Sequence, residues 1–256
     1  VGQRLQAHPG TALVGVFGVA EVLTANTFRT HARNLAAVGW ADRAQELTTL
    51  AVRLAREAAD EASRPVWIAG SQAPIGDCYT PVSTLSGAEL AAEHRRMSHQ
   101  LAEAGVDLIL VETQPTLIES LSATRAALDT GLPVVTSLVC RRDQRLLSGE
   151  PLGTAAAELS RLPISGLSVN CVLAESVQEL LEILHAAAPR VPRCAYANVG
   201  YLDSERGWVQ AASIDPLVYG DVAREWVAGG ARMIGGCCGT TPEHIATLRR
   251  LLNTAT

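Results

Sequence analysis

Short apolar runs recur along the chain, and most of them are followed by a segment with helical periodicity. Each run is bounded by glycine or polar residues, as expected for a buried strand. Continuous apolar strands that alternate with helices are typical of a parallel sheet covered by helices on its outer face. The seven runs are residues 21–26, 66–71, 107–112, 134–139, 167–170, 194–198 and 232–235.

The segments between these runs carry helix signals. Residues 41–62 are rich in Ala, Leu, Arg and Glu, with leucines spaced along one helical face. Ser86 and Glu89 have the spacing of a capping box, and residues 116–119 repeat it. A further helix is predicted over residues 176–187, and Asp215 before Pro216 indicates another helix start.

A weak internal repeat supports a barrel. Gly18, Gly105 and Gly230 each stand where a helix would end and a buried strand would begin. We predict a (β/α)8 barrel formed as a single domain over residues 1–256. Such a barrel needs eight strands, so the first strand is expected to precede Val1. A doubly wound open sheet is the alternative, although no Gly-x-Gly-x-x-Gly motif follows a strand.

Composition narrows the class of protein. The chain of 256 residues is 48% hydrophobic and 18% charged, which favours an extensive core. A net charge of −5 without a basic cluster argues against a nucleic-acid partner. No apolar run is long enough to span a membrane, so we expect no membrane partner. Six cysteines in a chain of this size favour a reducing, cytoplasmic setting, and nothing in the sequence specifies an oligomeric state.

The candidate chemistry is concentrated in one pair of cysteines. Cys237 and Cys238 lie between the last apolar run and a predicted helix start at Thr241. Adjacent cysteines form an ordinary disulfide only with strain, so they are better suited to bind a soft metal. Cys171 also ends a predicted strand and is the natural third thiol. Three thiolates with one open position are typical of a catalytic zinc site.

The motifs around these cysteines resemble those of the zinc-dependent homocysteine S-methyltransferase family. Ser-Val-Asn-Cys at 168–171 and Gly-Gly-Cys-Cys-Gly-Thr-Thr-Pro-Glu-His at 235–244 are highly specific to it. Weaker matches follow in the family's order, so that the resemblance extends over residues 21–252. They are Thr-Ala-Asn-Thr-Phe at 24–28, Val-Glu-Thr-Gln-Pro at 111–115, Leu-Leu-Ser-Gly-Glu-Pro at 146–151 and Ala-Asn-Val-Gly at 197–200.

The resemblance implies a fold and a reaction. It implies a (β/α)8 barrel in which Cys171, Cys237 and Cys238 bind Zn²⁺ and the homocysteine sulfur takes the fourth position. Methyl transfer from a sulfonium donor such as S-methylmethionine would then give methionine. The partners are therefore expected to be homocysteine and a methyl donor. The family's Asp-Gly-Gly motif at the end of the first strand has no match in this sequence.

Five further residues are candidates for substrate binding. By the resemblance, Glu112 would hold the substrate amino group, and Asn26 and Thr27 would border that pocket. Ser71 and Asn198 also lie at strand ends, where a barrel has its catalytic face. Support of loop backbone groups is the alternative for Asn26 and Asn198.

Several other polar residues are expected to have structural roles. Asn170 is predicted to support the site from behind, and His244 to cap or pack the last helix. The remaining cysteines, Cys78, Cys140 and Cys194, are interpreted as ordinary core or loop thiols.

Three other functions fit the same residues. The first is a zinc-binding barrel without catalysis, which would have lost its amino-acid contact on the first strand. The second is a methyltransferase that acts on another thiol or on a selenol. A redox protein would use Cys237 and Cys238 but would need neither Cys171 nor Glu112.

Overall fold

The computed structural model describes residues 20–81, 85–203 and 205–253. The expectations for Gly18 and for a strand before Val1 lie outside the described residues. Within them, all seven predicted strands are confirmed and form one parallel sheet. These strands are β1 (Val22–Ala25), β2 (Trp67–Gln72), β3 (Leu108–Gln114), β4 (Val134–Leu138), β5 (Gly166–Leu173), β6 (Arg193–Asn198) and β9 (Ala231–Gly236).

The order of the strands in the sheet is the order of the chain, β1-β2-β3-β4-β5-β6-β9. A doubly wound sheet reverses its strand order at a switch point, so that alternative is wrong. Arg249 in the last helix contacts Glu21, directly before β1, at 2.5 Å. The two ends of the sheet therefore approach each other, as in a barrel.

An antiparallel hairpin between β6 and β9 was not predicted. It consists of β7 (Gly200–Asp203) and β8 (Gly207–Gln210) and forms its own two-stranded sheet. Each of its two strands is only four residues long. The hairpin covers part of the site described below.

Eight helices in the described part of the chain surround the sheet. They are α1 (Ala32–Ala36), α2 (Ala44–Asp60), α3 (Gly87–Ala104), α4 (Leu117–Leu128), α5 (Leu152–Leu159), α6 (Val177–Ala187), α7 (Pro216–Ala228) and α8 (Pro242–Asn253). None of the described helices is long and apolar enough to cross a membrane.

Two of the predicted helix caps form as expected. Ser86 and Glu89 make a complete capping box at the start of α3. Asp215 accepts the first free amides of α7, which has Pro216 as its first residue. Each cap satisfies backbone donors that have no partner within the helix.

The second predicted capping box forms only in part. The Thr116 hydroxyl accepts the Glu119 amide at 3.1 Å, as predicted. The Glu119 carboxylate, however, accepts the Ile75 amide at 2.6 Å and lies 3.2 Å from His94 Nε2. The partners of this buried carboxylate thus come from two other segments of the chain. They replace the local hydrogen bond that would complete the capping box.

The inner face of the sheet changes character along the strands. At its lower level, an apolar cluster contains Ala69, Leu110, Val135 and Cys194, with Tyr196 packed against it. Side chains two positions further along a strand point to the same face. On β2, β3, β4, β5 and β6 that next level includes Ser71, Glu112, Ser137, Asn170 and Tyr196. A layer of polar side chains thus lies towards the carboxyl ends of the strands, above an apolar floor.

Candidate metal centre and substrate pocket

The structure brings the three predicted cysteine ligands together. Their Sγ atoms all lie within 4.8 Å of one another. The Cys171–Cys237 separation is 3.1 Å and the Cys237–Cys238 separation is 3.9 Å. In a tetrahedral zinc site with Zn–S bonds of about 2.3 Å, neighbouring sulfurs are about 3.8 Å apart. The two separations lie on either side of this value, and three thiols are a donor set that zinc prefers, so the residues present fit Zn²⁺.

Cys171 is presented by an irregular end of β5. Its φ is +54°, and the β5–β6 register shifts between Asn170 and Leu173. Thr113 on β3 has a similar φ of +58° beside a second register shift. Positive φ in non-glycine residues is uncommon and is maintained only where the surroundings hold it.

The Asn170 side chain contacts both Thr113 and Cys171. Its Oδ1 accepts the Thr113 amide at 2.9 Å and the Ser137 hydroxyl at 2.7 Å. Its Nδ2 donates to Thr113 Oγ1 at 2.8 Å and to Cys171 Sγ at 3.5 Å. One buried amide thus joins three strands behind the cysteine, which agrees with the supporting role predicted for it.

The backbone of Cys237 and Cys238 is held by the end of β6. The Cys237 amide donates to the Ala197 carbonyl at 2.8 Å, and the Cys238 amide donates to Asn198 Oδ1 at 3.0 Å. Thr240 donates its hydroxyl to the Cys237 carbonyl at 2.7 Å. In this structure the Asn198 side chain therefore supports the backbone of Cys238. Such support of loop backbone groups is the alternative to substrate binding for this residue.

Two helices brace the same turn from outside. The Tyr219 hydroxyl on α7 donates to the Gly235 carbonyl at 2.6 Å. At the start of α8, His244 Nδ1 accepts the Thr241 amide at 3.1 Å, and Nε2 lies 3.1 Å from the Ile214 carbonyl. The His244 ring also meets Tyr219 edge-on at 5.5 Å. These contacts agree with the capping and packing role predicted for His244.

The three thiols cannot all ionise without a positive charge beside them. Hydrogen bonds from Cys171 to its two cysteine neighbours, together with burial, raise the pKa of Cys171. The same arrangement lowers the pKa of Cys238, whose thiolate accepts hydrogen bonds from Cys171 and Cys237. A divalent cation removes this conflict because it attracts all three thiolates.

Glu112 lies on the polar inner face, only 8% exposed, and accepts a hydrogen bond from the Ser71 hydroxyl. Burial raises the pKa of Glu112, and the charge of Cys238 raises it further. A carboxylate in this position is stabilised by a cationic partner, such as a substrate ammonium group. Glu112 and Ser71 therefore meet in one pocket near the thiols.

Tyr196 belongs to this pocket and was missed in the sequence analysis. Its hydroxyl is buried and interacts with the side chains of Glu112 and Ser137. The alternation along β6, from Cys194 through Tyr196 to Asn198, could have placed it on the inner face. Tyr196 therefore adds a third polar side chain to the group formed by Glu112 and Ser71.

The predicted border residues on the first strand differ in their environment. Thr27 is buried and donates its hydroxyl to the Ser71 carbonyl at 2.8 Å, which ties the end of β1 to β2. Asn26 is exposed at the same edge. The structure thus gives Thr27 a bracing contact, and substrate binding by Asn26 stays a prediction.

Tyr79 reaches the thiols from the loop after β2. The side chain is 55% exposed, but its hydroxyl lies within hydrogen-bonding reach of Cys171 and Cys238. Arg29 and Asn34 anchor this loop through the Gly76 carbonyl and amide, at 2.5 and 3.1 Å. No motif marks the loop, so the sequence carried no signal for Tyr79.

Gly239 allows the cysteine turn to pack under the hairpin. Its φ is +81°, and a Cβ there would lie 2.9 Å from Val199 Cγ2 and 3.0 Å from Trp208 Cζ2. We expect Gly239→Ala to lower the unfolding free energy by about 1–3 kcal/mol and to weaken metal binding. Urea unfolding and zinc titration measure the two effects.

Gly105→Ala is the matched control for this substitution. Gly105 has a φ of +85°, and a Cβ there would meet nothing within 4 Å. Alanine at this position therefore has the cost of a positive φ without a steric clash. Equal losses of stability in both variants would contradict a close approach at Gly239.

Comparison with known proteins agrees with the site. The homocysteine S-methyltransferase family profile matches residues 18–252. Betaine-homocysteine S-methyltransferase of Drosophila melanogaster is 29% identical over 83% of this chain and 72% of its own length. Homocysteine S-methyltransferase of Escherichia coli K12 is 33% identical over 71% of this chain and 61% of its own length.

The fold comparison gives the same result. The metallated form of the homocysteine methyltransferase MmuM from Escherichia coli superposes with a TM-score of 0.79 at 26% identity. The match covers 93% of this chain and 82% of that structure. The chain belongs to the homocysteine S-methyltransferase family, and its sheet is that of the family's barrel.

Proposed function

We propose that this protein transfers a methyl group to the thiol of homocysteine and so forms methionine. In this proposal residues 1–256 form a single homocysteine-binding domain that works in a reducing, cytoplasmic setting. Cys171, Cys237 and Cys238 hold Zn²⁺, and a sulfonium such as S-methylmethionine is the donor. The observation that carries the proposal is the triad of sulfurs within 4.8 Å beside a pocket containing a buried carboxylate.

Zinc bound by the three cysteines supplies a positive charge that lowers the pKa of a substrate thiol. The protein's part is to position both reactants. Glu112 receives the substrate ammonium, supported by the Ser71 hydroxyl. The Tyr196 hydroxyl offers a further polar contact in the same pocket. Proximity and alignment of this kind account for much of the rate of a bimolecular displacement.

The reaction balances without an oxidant or reductant. The homocysteine sulfur forms a bond to the donor's methyl carbon as the bond between that carbon and the sulfonium sulfur breaks. The bonding electron pair stays on the donor sulfur, which leaves as a neutral thioether. The thiol proton is released to solvent.

A methyl-transfer assay tests the proposal. Zinc-loaded protein is incubated with S-methylmethionine carrying labelled methyl groups and with homocysteine carrying a labelled carbon chain. The leaving thioether of this donor is itself methionine, so mass spectrometry must detect methionine that carries both labels. Doubly labelled methionine is the expected result. Zinc binding without transfer from any sulfonium donor would favour a non-catalytic barrel. Transfer to another thiol or a selenol alone would identify a different acceptor.

A further inference from the structure

A second cavity, of about 210 Å³, opens beside Cys171 on the same face of the barrel. It lies between the loop after β4, the start of α6 and the end of β6. Its polar lining includes Arg142, Gln144, Cys171, Glu179, Asn198 and Tyr201. Through Cys171 and Asn198 it adjoins the metal centre. Glu112 and Ser71 do not line it, so it is separate from the pocket assigned to homocysteine.

Two arginines, Arg141 and Arg142, and one carboxylate, that of Glu179, line the cavity. The Arg142 guanidinium lies 5.5 Å from the centre of the Tyr201 ring, an arrangement that orients it. Among the described residues, none places a carboxylate within ion-pair distance of Arg142. This differs from its neighbour Arg141, which is paired with Asp143 at 2.9 Å.

Glu179 faces the cavity from α6. Its Oε1 accepts a hydrogen bond from the Gln144 side chain, which directs the carboxylate towards the loop after β4. A carboxylate can accept several hydrogen bonds, so Glu179 keeps capacity for a ligand donor. Arg142 and Glu179 thus present complementary charges for a ligand that carries both a carboxylate and an ammonium group.

We propose that this cavity binds the amino-acid end of a small sulfonium methyl donor. Arg142 receives the α-carboxylate, Glu179 receives the α-ammonium group, and the sulfonium lies towards Cys171. The volume is below the roughly 300–1,000 Å³ of sites for drug-sized ligands, so it suits one amino-acid-sized arm. This inference rests on the proposed function and adds the class of donor and the residues that recognise it.

Isothermal titration calorimetry of the zinc-loaded protein with S-methylmethionine tests this site without turnover. We expect Arg142→Gln and Glu179→Gln each to weaken donor binding on the order of tenfold, because each removes one charge-assisted contact. Homocysteine affinity should not change. Both side chains are exposed, so the variants are expected to fold. Trimethylsulfonium, which has neither recognition group, should bind all variants equally weakly.

The matched controls are Arg145→Gln and Glu182→Gln. Arg145 lies on the same loop and donates to the Gly149 carbonyl, and Glu182 lies one turn further along α6 and accepts from Gln178. Neither lines the cavity, so both should bind the donor as the unchanged protein does.

The outcomes separate the two proposals. Unchanged donor affinity in both cavity variants, or a loss of homocysteine affinity instead, would overturn the donor site. If the cavity variants weaken donor binding while the unchanged protein forms no methionine, the donor site stands and the proposed reaction fails. If methionine forms but the variants bind the donor normally, only the donor site is wrong.

Discussion

Replacing Cys171 with alanine is expected to abolish zinc binding and methyl transfer together. Cys171 comes from β5, whereas Cys237 and Cys238 follow β9, so its loss leaves only two adjacent donors from one turn. Two thiolates do not complete a catalytic zinc site. Loss of a residue that only supports a metal ligand typically lowers activity about 10–100-fold. The loss of activity in Cys171→Ala should be larger. Elemental analysis and the labelled-methyl assay measure the two effects.

Cys194→Ala is the matched control. Cys194 is a buried thiol on the inner face of the same barrel, at the apolar level below the pocket. Its loss should leave the zinc content near one per chain. A Cys171→Ala protein that is folded and keeps its zinc would exclude the three-cysteine site. Loss of the zinc in Cys171→Ala would contradict the redox alternative, which does not need Cys171.

Glu112→Gln is expected to reduce kcat/KM for homocysteine by about 10–150-fold, with the donor's KM little changed. The reason is the loss of a charged hydrogen bond to the substrate ammonium, which is worth about 1.5–3 kcal/mol. Steady-state kinetics with each substrate varied in turn separate the two KM values. An equal loss for both substrates would indicate a general disturbance of the pocket.

The same substitution should stabilise the ligand-free protein at neutral pH. Burial raises the pKa of Glu112, so the folded state holds this proton at pH values where the unfolded state, with a pKa near 4.3, has released it. The stability of the wild type relative to the Glu112→Gln variant is therefore greatest below the unfolded pKa and declines as pH rises through the folded pKa.

Thermal unfolding of both proteins across this pH range measures the effect. The Tm difference in favour of Glu112→Gln should grow with pH. Glu46→Gln is the control, because Glu46 is exposed and its pKa is lowered by Arg43. Exposed ion pairs contribute little to stability, so its Tm should change little. A Tm difference for Glu112→Gln that does not vary with pH would contradict a buried, titrating carboxylate.

The parts of the fold that could be predicted rest on local signals. A strand buried on both faces is a continuous apolar run, so all seven parallel strands were recognisable. The Ser86 box and the Asp215-Pro216 start also depend on neighbours a few residues apart. Glu119 shows the limit of such reasoning, since its partners Ile75 and His94 are distant in the chain.

The candidate site also has a part that the sequence predicted and a part that it did not. Adjacent cysteines on a glycine-bounded turn indicated metal binding from the sequence. The contributions of Tyr196 and Tyr79 could not be inferred in this way. An aromatic residue in a strand has the pattern of a core residue, and only the surrounding strands show that its hydroxyl meets Glu112 and Ser137. Tyr79 depends on a loop anchored by Arg29 and Asn34.

The sequence by itself determined the order of the seven parallel strands, the three cysteines that are candidate metal ligands and the family to which these motifs point. Those features are encoded in composition and spacing along one segment at a time. The tertiary structure decided how Asn170 holds Cys171 in place and how Glu112 meets Ser71. It also decided that Arg142 and Glu179 share a cavity beside the candidate metal centre. These contacts join residues far apart in the chain, and the curvature of the parallel sheet brings them together.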